Sequence, residues 1–295
     1  MYLIVAIDLK YIHSFRSVPT MKHFKMSITL VLLFSSLLMS ASGQEDPWPL
    51  DLDVPTEDVI AFALYTTHNG TLKMTAQLYP LDEDTDRTVR LQVKSRNNWQ
   101  TVAKSDVSEE PYGSPQDQHI KRWTAHFRVE QPWVGRQDRP YRVVAAGGEA
   151  TYKGLIRKQP DEQDVITVAS LNCNSKQDTR LKPDLIRNIK HQDPDLLFFA
   201  GDQSYWHKKH YQAWLLFGLQ FGDIMRNRPT VTIPDDHDVG HYNLWGEGGI
   251  KAKGLPGDDG GYTFSPQYVN SVQNAQTWHL PDPYNPKPVK RGIGV

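Results

Sequence analysis

At 295 residues, with 33 basic side chains against 34 acidic ones, the chain is close to neutral. That balance gives no reason to expect an electrostatic grip on nucleic acid, and no specific nucleic-acid binding is expected. Eight tryptophans and thirteen tyrosines argue for a packed globular protein rather than a disordered one, and the length accommodates two modest domains.

Residues 1–43 read as a leader. Lys22-His23-Phe24-Lys25 is a short basic region, and Ile28 to Met39 is apolar apart from small Ser and Thr. Ala41-Ser42-Gly43 then supplies small residues for a signal peptidase. This layout predicts a secretory signal peptide, too short for a comfortable membrane span, so no stable span is expected after cleavage. The residues before Met21 fit no part of a signal, and Met21 or Met26 reads as the better start. The expected destination is secretion, or the periplasm and cell envelope, by bacterial-type export. An exported chain with one cysteine, Cys173, has no internal disulfide framework. Base rates favour a buried structural thiol over a ligand, until position is considered.

After a linker rich in Pro and Asp (Glu45 to Thr56), residues 44–163 read as a β-rich accessory domain. Val59 to Thr66 is a predicted strand, His68-Asn69-Gly70 a tight turn, and Thr71 to Tyr79 the returning strand of a hairpin. Thr88 to Lys94, Trp99 to Ala103, Trp123 to Val129 and Tyr141 to Ala145 are further predicted strands. Their spacing suggests an all-β sandwich of about a hundred residues, like fibronectin type III or immunoglobulin modules. His68, His119 and His126 are scattered through it and read as surface or structural residues.

At Gln159-Pro160-Asp161-Glu162 the pattern changes, and residues 164–295 alternate strand and helix. Val165 to Ser170 predicts a strand and Pro183 to Lys190 a helix with Leu185, Ile186 and Ile189 on one face. The uninterrupted run Leu196 to Ala200 predicts a strand buried on both sides. Tyr211, Trp214, Leu215, Gly218, Phe221 and Met225 recur at helical spacing, and Thr230 to Pro234 makes a third strand. A βαβαβ order implies a parallel sheet, and ligands gather beyond the carboxyl ends of such strands.

Each of these strands runs into polar chemistry. The first ends in Asn172-Cys173-Asn174, the second in Gly201-Asp202-Gln203-Ser204-Tyr205, and the third in Asp235-Asp236-His237-Asp238. Taken singly, Asp202 serves equally as a helix cap, and Asp235-Asp236 as a solvated turn. Three such motifs at successive strand ends point instead to a metal site, because crowded carboxylates need cations to neutralise them. Carboxylate, phenolate and thiolate suit an iron-like trivalent ion, and further carboxylates and amides suit a hard divalent ion.

These motifs resemble those of the PhoD-like alkaline phosphatases, members of the metallophosphatase (calcineurin-like phosphoesterase) superfamily. Gly201-Asp202-Gln203-Ser204-Tyr205 matches the Gly-Asp-x-x-Tyr of the iron-containing enzymes, and Asp235-Asp236-His237-Asp238 is similar to the PhoD-type Asp-Asp-His-Glu/Asp. Ser170-Leu171-Asn172-Cys173 stands where that family uses a cysteine. The resemblance covers nearly the whole mature chain and implies an αββα metallophosphatase sandwich after the β-sandwich. It also implies iron and calcium as cofactors, another divalent pair being an alternative. Carried over by position, Cys173, Asp202 and Tyr205 would hold iron, Asp202 would bridge to a second metal, and Asp236 would ligate that metal. His237 would steady the transferred phosphoryl group or protonate the leaving oxygen, with Asp235 beside it in the catalytic motif.

The implied activity is hydrolysis of phosphate monoesters or diesters, in small molecules or polymers. The alternative is an inactive fragment or a secreted binding protein that keeps the scaffold. Asn174, Trp206, His207, His241, Asn243, Trp245 and His279 are rim or substrate candidates; for Trp206 and Trp245 core packing is equally open. Gly246 to Gly261 is expected to form a mobile substrate loop. The superfamily's later ligands come from strands well after the third motif, whereas beyond Asp238 this chain offers only His241 and His279 as histidines, and Gly292-Ile293-Gly294-Val295 reads as the start of another strand. The chain is therefore expected to be truncated.

Overall fold

The computed structural model describes residues 3–8, 50–111, 121–174, 181–207, 209–240 and 262–282. The proposed signal region, the Gly246 to Gly261 loop and the final Gly-Ile-Gly-Val run lie outside these residues. Along the chain stand β1 (Leu3–Asp8), β2 (Ile60–His68), β3 (Thr71–Leu78), β4 (Thr88–Ser95) and β5 (Asn98–Asp106). They are followed by β6 (Ser108–Pro111), β7 (Lys121–Glu130), β8 (Arg139–Ala145), β9 (Ala150–Ile156) and β10 (Val165–Leu171). Then come α1 (Pro183–Gln192), β11 (Leu196–Phe199), α2 (His210–Met225), β12 (Thr230–Thr232) and α3 (Pro266–Thr277).

Among the described residues the fold is β-rich and mostly antiparallel, with three four-stranded sheets. Two of them, in the orders β2-β3-β7-β6 and β5-β4-β8-β9, come from the first half of the chain and are antiparallel throughout. Strict alternation explains which side of each is covered: Val89, Leu91 and Val93 of β4 are buried while Arg90, Gln92 and Lys94 are not. The two sheets meet through pairs such as Tyr65 and Tyr141, whose rings pack edge to face at 6.2 Å. Asn69 and Gly70, with φ of 48° and 75°, make the tight β2–β3 turn that needs left-handed backbone at both positions.

The third sheet has the order β1-β10-β11-β12, with β10, β11 and β12 parallel, as the strand–helix alternation predicts. Its antiparallel edge strand was unexpected. Leu3 to Asp8, from the stretch that fits no part of a signal, pairs with β10 in the register Leu3↔Ser170 to Asp8↔Val165. A chain lacking those residues would leave that edge of β10 unpaired.

Helix α2 joins the halves. Its hydrophobic stripe predicted one buried face, but residues on nearly every side of it are buried. Phe62 of β2 packs edge-on against Trp214 at 5.5 Å, and Phe199 of β11 meets Phe217 and Phe221 at 4.9 and 5.1 Å. A Cβ at Gly218 would overlap the Phe62 ring, so glycine sets how closely α2 approaches β2. The apolar core is continuous across both halves.

Two first-half strands have weak sequence signals. β6 carries Glu109-Glu110-Pro111, which reads as a turn, and β9 contains Gly154. That glycine lets the carbonyl of Arg226, just past α2, come close enough for Leu155 N–H to donate to it at 3.0 Å.

Candidate metal centre

The centre is built where β10, β11 and β12 end. Gly201, with φ of 96°, turns the chain off β11, and a side chain there would overlap Cβ of Asp235 in the third loop. Cys173 and Asp202 also hold left-handed backbone, at φ of 54° and 58°. Such conformations are costly for residues other than glycine and persist only where surrounding structure enforces them. Here the enforcement is visible: Cys173 N–H donates to Gly201 O at 3.3 Å, and Asn174 N–H donates to Asp202 O at 2.8 Å. The first loop is thereby fastened to the second.

Asp238 fastens the second loop to the third. Its buried carboxylate accepts from the backbone N–H groups of Asp202 (2.8 Å), Ser204 (2.9 Å) and Asp235 (3.0 Å). The amide of Gln276, on α3, donates to it at 3.0 Å. Burial pushes the Asp238 carboxyl up to about 7, against the pull of those hydrogen bonds.

Asp202 is the hub. Its Oδ2 accepts from the Tyr205 hydroxyl at 2.8 Å and lies 3.6 Å from the Cys173 thiol. Asp202, Asp236 and His237 each offer a ligand atom, and these atoms lie within 4.8 Å of one another. Asp202 Oδ1 is buried without a hydrogen-bond partner among the described residues. Burial raises the Asp202 pKa, and Asp236 and Asp235 push the same way, against the pull of Tyr205 and His237. The Tyr205 phenol is pushed up by burial first and then by its bond to Asp202. A carboxylate held among other carboxylates with an orphaned oxygen is the arrangement a cation relieves.

The spacing fits a cation as well. Ligands around a calcium-like ion at about 2.5 Å stand up to about 5 Å apart, so the Asp202 and Asp236 carboxylates need little movement to hold one, with His237 beside it. A smaller transition metal would draw the same atoms in by a few tenths of an ångström.

His207 belongs to this centre: its Nε2 lies 2.7 Å from Nδ1 of His237, whose ring also packs on Tyr205 at 4.1 Å. Asn174 reaches inward, its amide donating to Gln220 Oε1 at 2.8 Å and to Gln203 O at 3.5 Å. It lines, with Cys173, Asp202 and Lys182, a hollow of ≈ 100 Å³ floored by Leu171, Phe199, Phe217 and Phe221. Asp235 stands exposed at the outer edge, its carboxylate accepting from Asp236 N–H at 2.9 Å. Trp206 is half-buried in the turn, its N–H toward Ser204 Oγ at 3.4 Å.

Comparison with protein-family models, with curated proteins and with solved structures finds no match to this chain. The chemistry of the centre therefore rests on its own residues.

Several sequence expectations change. Cys173 is exposed rather than buried, which removes the reading of it as a packing thiol. Asp202 does not cap a helix, since α2 begins beyond Lys209. His279 is not at the rim: it is buried between β2 and β12, its Nε2 2.8 Å from the Thr230 carbonyl at the start of β12. Its own carbonyl accepts from Thr66 Oγ1. His241, Asn243 and Trp245 lie outside the described residues. Sequence reasoning missed Gln220 and Gln276, uncharged residues on the buried sides of helices that carry no motif. It also gave Asp238 no role of its own, because most of its partners, on Asp202, Ser204 and Gln276, lie far away in sequence.

Proposed function

We propose that this chain is an exported, metal-dependent phosphoric ester hydrolase of PhoD-like metallophosphatase type, acting on phosphate monoesters or diesters. The αββα arrangement and the fibronectin-like module belong to this same proposal. The observation that carries it is the double role of Asp202. One of its oxygens gathers the Cys173 thiol and Tyr205 phenol, while the same side chain sits within 4.8 Å of ligand atoms on Asp236 and His237. A thiolate and a phenolate beside one carboxylate on one side, and further carboxylate on the other, suit two different ions. Cys173, Asp202 and Tyr205 would hold iron, and Asp202 with Asp236 would hold calcium or another divalent ion.

Ions bound there would supply an activated water near neutral pH and positive charge for phosphoryl oxygens. The chain's own groups do the rest. Left-handed backbone at Cys173 and Asp202 aims both side chains into one space. His207 engages Nδ1 of His237, leaving Nε2 to donate a proton to the leaving oxygen. The exposed Asp235 marks the open side by which an ester would enter.

The test is metal analysis of gently purified protein, followed by phosphate release from a monoester and a diester with iron and calcium added. Bound metal and turnover, with Asp202→Asn losing most of the metal and at least a hundredfold in rate, are expected. Metal binding without turnover would leave a secreted binding protein on this scaffold. Absence of metal, or unchanged metal in Asp202→Asn, would end the proposal.

A further inference from the structure

We propose that the outer face of the β5-β4-β8-β9 sheet is a binding surface for inorganic polyphosphate, held by charge and separate from the candidate metal centre. The register sets this face. Arg90 of β4 stands directly opposite Lys104 of β5, and Arg142 of β8 directly opposite Lys153 of β9. Gln92 bridges the two pairs, opposite Arg142 on one side and Thr101 on the other. Because Val89, Leu91, Val93, Tyr141 and Val143 are buried on the inner face, alternation turns these cations outward.

Like charges directly opposite one another weaken a sheet, and here two such pairs lie in neighbouring strand pairs of a chain whose net charge is −1. Arg90, Lys104 and Arg142, with Gln92, Thr101 and Thr151, line a hollow of ≈ 470 Å³ to which no Asp or Glu among the described residues contributes. Arg142 is positioned rather than loose: its Nε donates to Gln92 Oε1 at 2.7 Å, and its guanidinium lies 4.7 Å over the Trp99 ring.

The Cβ atoms of residues facing one another on neighbouring strands stand about 5 Å apart, and those of successive outward positions along a strand about 7 Å, so the long side chains can bring their charges within reach of one polymer. A single small anion reaches only one or two of them, whereas a linear polyanion spans the set. A tetrahedral phosphate, with oxygens on several sides, can bridge two neighbouring cations; a planar carboxylate presents its pair to one. Trp99, the aromatic ring opposite Lys94, is already covered by Arg142, so it gives no open platform for stacking bases. Those features favour a dense phosphate chain without bases. The inference is independent of what the metal centre catalyses.

The experiment measures binding of inorganic polyphosphate to the full chain by calorimetry across a salt series. Wild type should bind with affinity that falls as salt rises. Arg90→Gln with Lys104→Gln should weaken binding tenfold or more, and lower the log–log salt slope by about one for each cation removed. Because these substitutions relieve like-charge contacts, the melting temperature should hold or rise, which separates lost binding from lost fold. Protein stripped of metal by a chelator that is then removed should bind polyphosphate as untreated protein does. Unchanged affinity in the double variant, or loss of binding on metal removal alone, would overturn the site. Tighter binding of poly-glutamate or of a single-stranded oligonucleotide at matched charge would overturn the ligand.

Discussion

Cys173 carries the most direct test at the scale of single residues. Its thiol is exposed and points a proton toward Asp202 Oδ2 at 3.6 Å, so a metal at that oxygen would take the proton's place. A thiol reagent should label Cys173 slowly in metal-loaded protein and several-fold faster after chelation, followed by mass spectrometry. Equal rates with the fold intact would remove Cys173 from the ligand set. Asp238 is the second residue to change. Its carboxylate holds three backbone N–H groups and the Gln276 amide, so Asp238→Asn turns an acceptor-only group into one that confronts donors with donors. A loss of about 3 kcal/mol in urea unfolding is expected, together with weaker metal retention, because both strand-end loops lose their common anchor. A variant of wild-type stability would show that the carboxylate is not the brace.

Among the elements, α2 decides how the two halves meet. Its Gly218 lies against Phe62, and Gly218→Ala must move either the helix or the ring. Overpacking of this kind costs about 2 kcal/mol, and chemical denaturation of the variant measures it directly. Because Phe217 and Phe221 on the same helix floor the hollow beside Cys173, the shift should also weaken metal binding; an effect on stability alone would mean that the floor and the loops are uncoupled. The stripe from Tyr211 to Met225 made this helix legible, but not its second partner. A period of 3.6 reports one apolar face, while Gln220, on another side, is buried with its amide oxygen accepting from Asn174 in a loop 46 residues away.

For the molecule as a whole, two buried histidines, His210 and His279, and the half-buried His126 govern acid stability among the described residues. Burial lowers His126, His210 and His279 from 6.5 to about 3, so each stays neutral in the fold. Above pH 6.5 they leave stability intact. Below it the unfolded chain takes up protons that the fold refuses, and stability falls as pH drops from 6.5 toward 3. Each histidine contributes a slope of about 1.4 kcal/mol per pH unit. Asp238, raised from 3.8 to about 7, works in the opposite direction and offsets roughly one of them. In His279→Gln the slope between pH 6 and 4 should shrink by about 1.4 kcal/mol per unit, whatever the variant's absolute stability. An unchanged slope would mean that the His279 ring is protonated in the fold.

Much of this was written in local pattern. The alternation in β2 to β5, the Asn69-Gly70 turn, the apolar run of β11 and the three polar strand ends depend on neighbours a few residues apart, and the sequence alone determined them. It also brought Cys173, Asp202, Tyr205, Asp236 and His237 together, because parallel strands put their carboxyl ends on one edge. What only the tertiary structure decided involves partners distant along the chain. His279 reads in sequence as a rim candidate, yet Thr66 and Thr230 enclose it from 213 and 49 residues away. Leu3 to Asp8 reads as stray leader and becomes an edge strand, since any short extended run can fill an open ladder. The like-charge pairs Arg90–Lys104 and Arg142–Lys153 exist only in the register of strands, which hydrophobic burial on the opposite face imposes.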